Sequence, residues 1–341
     1  MATNGNPPVG ISQKIKQIGR TDLPGGGSVV VENGYAYVGH IEPPHGTSII
    51  DVRDPKNPKL IAQLEVPEGI HSHKVRVTGD VMLINYERYK SKKEPQAGLK
   101  VFDISDRTKP REIAFFKAAA KGVHRFTFDG RYAYLSPHME GYVGNIALIL
   151  DLKNPEKPEE VGRWWMPGQW TAGGEKPTWH GWDHRCHHPI RKNNRLYISY
   201  WFGGFAIVDI SDMSKPKTLS ILDWSPPYPC PTHTTLPLAN KIMDRDFMIP
   251  YDGEFKPGSR FGAHQPAEQV YDNIHYVTWF AGGLRALDLS NPFAPKEVGY
   301  YVPLPGKGQA AVQSNDVFRA DDGKLYLIDR LDGLEILESQ V

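Results

Sequence analysis

Apolar positions along the chain fall in short runs, each ending in an acidic residue and, in all but the last, a Pro-containing turn. The run recurs as GTSIIDVRDPKNP (46–58), GLKVFDISDRTKP (98–110), IALILDLKNPEKP (146–158), GFAIVDISDMSKP (204–216) and GLRALDLSNPFAP (283–295), with a worn copy, GLEILE, at 333–338. Runs this short, bounded by turn residues, read as strands and not helices. Most copies follow another short strand, such as Tyr35–Val38, Tyr132–Leu135, Leu196–Ser199 or Leu325–Ile328, and precede a third, such as Leu60–Leu64 or Glu297–Tyr301. A unit therefore holds about four strands.

The acidic residues closing the runs are 52, 48, 58, 79 and 50 residues apart. Units of about 40–50 residues with four strands each are the mark of propeller blades. The interval of 79 is too long for one blade; it contains a second strand start at Pro231–His233 and a further apolar strand near Asp246–Tyr251. The expected architecture is all-β: one domain over 1–341, a seven-bladed β-propeller with a shortened fifth blade. Six blades plus an insertion is the alternative. Ile11 to Thr21 is expected to supply the outer strand of the last blade and close the ring. Residues 1–10 read as a flexible terminus. Residues 166–182 read as a lid over the channel, since Gly168, Gly173 and Gly174 would let them move.

The repeat also carries histidines in register. His73 lies six residues before Gly79-Asp80 and His124 six before Gly130-Arg131. His188 lies six before Asn194-Arg195 and His233 seven before Asn240-Lys241, and His264 stands at the start of the next blade. Imidazoles at one position of successive blades point at a common centre, and converging imidazoles hold transition metals. Neutral rings clustered without an ion would leave buried polar groups to satisfy. His73, His124, His188, His233 and His264 are thus the expected ligands of one ion, three or four of them at a time. Fe(II), Zn, Mn and Cu all fit. His71 could replace His73, and His184 or His187 could support the ligands. His40, His45, His180 and His275 carry no register argument and read as surface or packing residues. The histidines form an arc, and the side from Asn315 round to Ser28 reads as open to substrate.

The ends of the second strands furnish the rest of the expected pocket. Glu87, Glu254 and His138 are candidates for proton transfer. Trp201, Trp279, Tyr89, Arg330 and Asn315 are candidates for holding substrate.

Lys and Arg number 40 against 39 Asp and Glu, a balance that argues against nucleic acid or an anionic membrane as partner. The first residues show no secretory pattern and no run spans a bilayer, so a cytoplasmic protein is expected. Cys186 and Cys230 are too few for a disulfide framework and read as reduced thiols.

The repeat resembles the LVIVD repeat family, whose runs end like FAIVD at 205–209. The resemblance spans about 25 to 338 and implies a bacterial β-propeller without an assigned reaction. A histidine-held metal on such a ring is similar in architecture to the carotenoid-cleavage oxygenases, a likeness of site and not of repeat. The expected function is a metal-dependent enzyme acting on a small aromatic or apolar molecule at the channel mouth, by oxygenase or Lewis-acid lyase or hydrolase chemistry. A non-catalytic scaffold for protein–protein interaction is the alternative.

Overall fold

The computed structural model describes residues 10–90, 95–179, 184–224, 231–252 and 261–341. Seven antiparallel sheets follow one another along these residues. The first (Gly26–Glu32, Tyr35–His40, His45–Asp51, Lys59–Glu65) shows the pattern. Its second strand is buried along nearly its whole length, whereas the outermost exposes Lys59, Leu60 and Glu65. Inner strands therefore read as continuous apolar runs and outer strands as mixed ones.

The recurring Asp belongs to the turn. Asp51, Asp103, Asp209 and Asp288 each accept the backbone N–H two residues on. A second acceptor three residues later repeats the device, with Asp54 on Lys56, Asp106 on Thr108 and Asp212 on Ser214. These paired Asx-turns bend the third strand into the fourth. The most visible residue of the repeat thus has a structural task.

Neighbouring sheets meet through apolar faces. Tyr37 and Ile49 of the first sheet pack with Met82 and Ile84 of the second, Leu83 and Val101 of the second with Phe126 and Leu135 of the third, and Tyr134 and Ile149 with Ile198 and Val208 of the fourth. Ile190, Leu236 and Val277 join the fourth, fifth and sixth. Tyr276 and Leu284 meet Leu325 and Leu327 of the seventh. Val29 and Val38 of the first sheet pack on Ile328 and Ile336 of the seventh, so the last sheet is covered by the first.

The fifth sheet is short, with only Thr232–Pro237 and Met248–Asp252 among the described residues. The N-terminal stretch does more than the sequence indicated, because it serves two sheets. Ile11–Gln13 pairs with Lys296–Val302 of the sixth, and Ile15–Thr21 with Leu334–Ser339 of the seventh. Between them Lys14 adopts φ 57°, the left-handed turn that lets the chain change sheets. Arg20 anchors the second strand, donating to Glu335 Oε1 at 2.8 Å and to Asp332 Oδ2 at 2.7 Å.

The segment expected to be a lid is pinned over its described part. Gln169 is buried and its Nε2 donates to the carbonyls of Val143 and Asn145. Glu175 accepts from Trp165 Nε1 and from the backbone of Gly168 and Trp170. No helix among the described residues is long and apolar enough to cross a membrane.

Arg20→Ala should expose what the N-terminal strand contributes to the seventh sheet. Losing charge-assisted bonds to the buried Glu335 should cost about 1.5–3 kcal/mol, read as a lower urea midpoint; an unchanged midpoint would mean these bonds do not hold the strand to the seventh sheet.

Candidate metal centre

One backbone irregularity builds the site. In the innermost strand of the first sheet the pairing skips a residue between Gly26 and Ser28, and the same shift occurs at Val123/Arg125, Cys186/His188, Thr232/Thr234 and Ser314/Asp316. In the second sheet His71 pairs with Glu87 but Val75 with Ile84, which leaves one extra residue in the stretch holding His73. In the sixth, the Thr278 carbonyl accepts from His264 while the Thr278 N–H donates to the neighbouring Gln265 carbonyl. A bulge of this kind re-aims the extra side chain. The seven bulge residues are Gly27, His73, His124, His187, His233, His264 and Asn315. All but the glycine line one cavity of about 150 Å³.

The five imidazoles form a continuous arc. Ring centroids are 5.1 Å apart from His73 to His124, 5.0 Å to His187, 4.4 Å to His233 and 4.3 Å to His264. His71 stacks on His73 at 3.8 Å. Several rings are fixed by Nδ1, which bonds the Ile41 carbonyl in His71 (2.6 Å), Glu87 Oε2 in His124 (2.8 Å), the His233 carbonyl in His187 (2.5 Å) and the Asn315 carbonyl in His264 (2.5 Å). An Nδ1 proton used this way leaves Nε2 with its lone pair, the form that ligates a metal. The carbonyls accepting from His187 and His264 belong to the bulge of the next sheet, so each ring is oriented by its neighbour.

Side chains of the second strands form a second tier around the first. Asn85, Ser136, Ser199 and Thr278 each donate to the bulge backbone of the next sheet. The residue two further on is Glu87, His138, Trp201 or Phe280. Trp201 and Phe280 line the cavity, with Phe280 4.4 Å from His264. Tyr89 does not line it but stacks on His71 at 4.7 Å. His138 also lies outside the lining, half-buried in the field of Glu87 and Arg185.

Among the described residues, one trio brings its donor atoms within 4.8 Å of one another: His71, His73 and Glu87. Two imidazoles and a carboxylate suit a transition metal with open positions. Glu87 also holds the His124 ring, the carboxylate–histidine pairing common around metals. Burial pushes the imidazoles well below the usual histidine range, His71 to about 4. Burial acts to raise the Glu87 carboxyl, but the His124 ring, His71 and Arg185 more than offset it and leave it lowered. Neutral imidazoles beside an ionised carboxylate are the states that bind a metal.

Several expectations need correction. His188 does not face the cavity; it turns down the channel, with Nε2 3.3 Å from Glu268, and His187 takes the lining place. The signal lay in the turn. The left-handed residue there is Asn193, six beyond His187, just as left-handed Gly79 and Gly130 lie six beyond His73 and His124. Trp279 packs against the core of Leu236 and Val277, and Phe280 takes the lining position. On the side expected to be open, Gly27 packs tightly against its neighbour: a Cβ there would come 2.5 Å from the His73 Cβ. Lys74 Nζ and Asn315 Nδ2 both donate to the Gly27 carbonyl. Glu254, His180 and Cys230 lie outside the described residues; Cys186 is a buried free thiol. Arg330 and Asn315 line the cavity and are joined by a 3.1 Å hydrogen bond.

Three segments, 26–65, 192–223 and 269–302, match the LVIVD repeat. No curated protein matches the sequence. Among solved structures the chain is similar to the C-terminal WD40 domain of Sif2 (TM-score 0.60, 10% identity, 97% of this chain and 100% of that one). It is similar to streptogramin B lyase (TM-score 0.57, 11% identity, 96% and 97%). It is also similar to the computationally designed Ika8 protein (TM-score 0.55, 8% identity, 92% and 96%). At these identities the likeness shows the fold, a propeller-like arrangement of sheets.

Burial holds His275 at about 3 and His40 at about 4, against 6.5 when exposed. Above pH 6.5 both are neutral folded or unfolded and contribute nothing. Between about 6.5 and 4 only the unfolded chain takes up these protons, so stability falls with falling pH, by up to about 1.4 kcal/mol per unit per group. Urea midpoints taken from pH 7 to 4 should fall, and less steeply in His40→Gln; identical slopes would contradict the assignment.

Proposed function

We propose that the chain is a metal-dependent enzyme whose seven sheets are the blades of a closed propeller, with one transition-metal ion at the channel mouth. The observation carrying this reading is the trio of His71, His73 and Glu87, joined to an arc of imidazoles whose Nδ1 atoms are occupied. His71, His73 and Glu87 would hold the ion, with His124 beside it on the Glu87 carboxylate. When bound, the ion supplies a Lewis acid or an oxygen-activating centre.

The chain's own residues do the rest. His187, His233 and His264, neutral at working pH, present Nε2 as hydrogen-bond acceptors to a substrate. Trp201 and Phe280 offer it flat apolar faces, and the cavity of about 150 Å³ restricts it to a small molecule. A purely structural channel has no use for five side chains re-aimed to one point by bulges, which favours this reading over a protein-binding scaffold.

Elemental analysis of protein purified without added metal tests it. Wild type should carry about one ion per chain. His73→Ala and Glu87→Gln should lose most of it, and His264→Ala, at the far end of the arc, should keep it. Absence of stoichiometric metal in wild type, or full metal content in both of the first two variants, would falsify the proposal.

A further inference from the structure

The cavity wall carries four cationic side chains, Lys74, Arg125, Arg185 and Arg330, and none of the described residues lining it is Asp or Glu. Arg125 is 1% exposed, directly follows His124 in the chain and, like it, lines the cavity. Its Nη2 reaches across the channel to Gln265 Oε1 at 2.5 Å, and Glu268 stands 3.9 Å away. Its Nε and Nη1 have no hydrogen-bond partner among the described residues. Burial lowers this guanidinium only to about 10, so it stays charged at neutral pH. Unmade N–H groups on a buried charge are costly, and because Arg125 itself lines the cavity an acceptor entering there could relieve them. Arg185 lies over the Trp201 ring at 5.0 Å, and Arg330 is tied to Asn315, so both stand at the mouth as fixed positive charges.

We propose that the ligand of this cavity is a small organic anion, a carboxylate on a flat apolar body, seated on the free N–H groups of Arg125 with its ring between Trp201 and Phe280. Guanidinium matches carboxylate in geometry as well as charge. Arg185 and Arg330 draw the anion to the mouth. The inference deepens the metal reading, because an ion held largely by neutral imidazoles adds positive charge that a carboxylate offsets. The cations are present with or without the ion.

Calorimetric titration of the protein, both as purified and after chelator treatment, with benzoate, benzamide and inorganic phosphate separates the two claims. Benzoate should bind both preparations. Benzamide, the same ring without the charge, should bind about tenfold more weakly or worse, the scale of a charge-assisted hydrogen bond. Phosphate, with the oxygens but no ring, should also bind more weakly. Arg125→Gln, checked for folding by circular dichroism, should lose benzoate binding, and Arg330→Gln should weaken it several-fold. Equal affinity for benzoate and benzamide overturns the anion seat, and phosphate binding as tightly as benzoate overturns the flat apolar body. Undiminished benzoate binding in a folded Arg125→Gln assigns the anion elsewhere and overturns the proposal. If Arg125→Gln does not fold, the benzoate–benzamide comparison and Arg330→Gln still decide. Benzoate binding to chelated protein stands even if no metal is found, so the two readings fail separately.

Discussion

The site depends on one extra residue per sheet. The innermost strands carry a bulge at the same level, and in every sheet but the first, where it is Gly27, the extra residue turns its side chain towards the cavity. Without the bulge, strict alternation would send that side chain to one face of its sheet, towards the apolar contact with a neighbouring sheet. The bulge also frees a backbone carbonyl, which accepts from the preceding sheet: His187 Nδ1 and Ser199 Oγ both use the His233 carbonyl. Orientation of the rings and cohesion of the sheets therefore come from the same distortion. A change at Ser199 or Thr278 would disturb imidazoles it never touches through the cavity.

Much of this was legible in the chain. The Asp-closed runs marked the third strand of most sheets, and the spacing from histidine to turn marked the inner strands. His73, His124, His233 and His264 all line the cavity. His187 was missed because Asn193 and Asn194 are both turn residues, and only the left-handed one sets the count. Trp201 and Trp279 looked equivalent because each precedes Phe. The sixth sheet has Ala281 between its Phe and the two glycines, where the fourth has none, and its Phe occupies the place of Trp201. Arg125 was invisible for a different reason. It is one residue beyond a histidine, on a strand where alternation alone would send it elsewhere, and its partner Gln265 is 140 residues away.

Charge gives the cavity its character. Burial keeps the imidazoles neutral, so the arc contributes lone pairs and no charge, while the guanidiniums keep theirs. The pocket therefore combines donors for a cation with charges that favour an anion. The carboxylates that balance this sit behind the wall: Glu87 on His124, Glu268 on His188 and Arg76, and Asp316 on the backbone of Val29. Placing acids in the supporting layer orients the basic groups without neutralising the space they enclose.

The double use of the N-terminal stretch has a consequence in time. Ile11–Gln13 and Ile15–Thr21 pair with Lys296–Val302 and Leu334–Ser339, so they can be paired only once that distant stretch has been made. At a synthesis rate of about 5–20 residues per second, they wait for roughly 15–60 seconds. Ile15, buried in the finished molecule, lacks the neighbours that cover it until that pairing forms. This pairing joins positions roughly 300 residues apart, the kind of non-local contact whose loop-closure entropy slows folding.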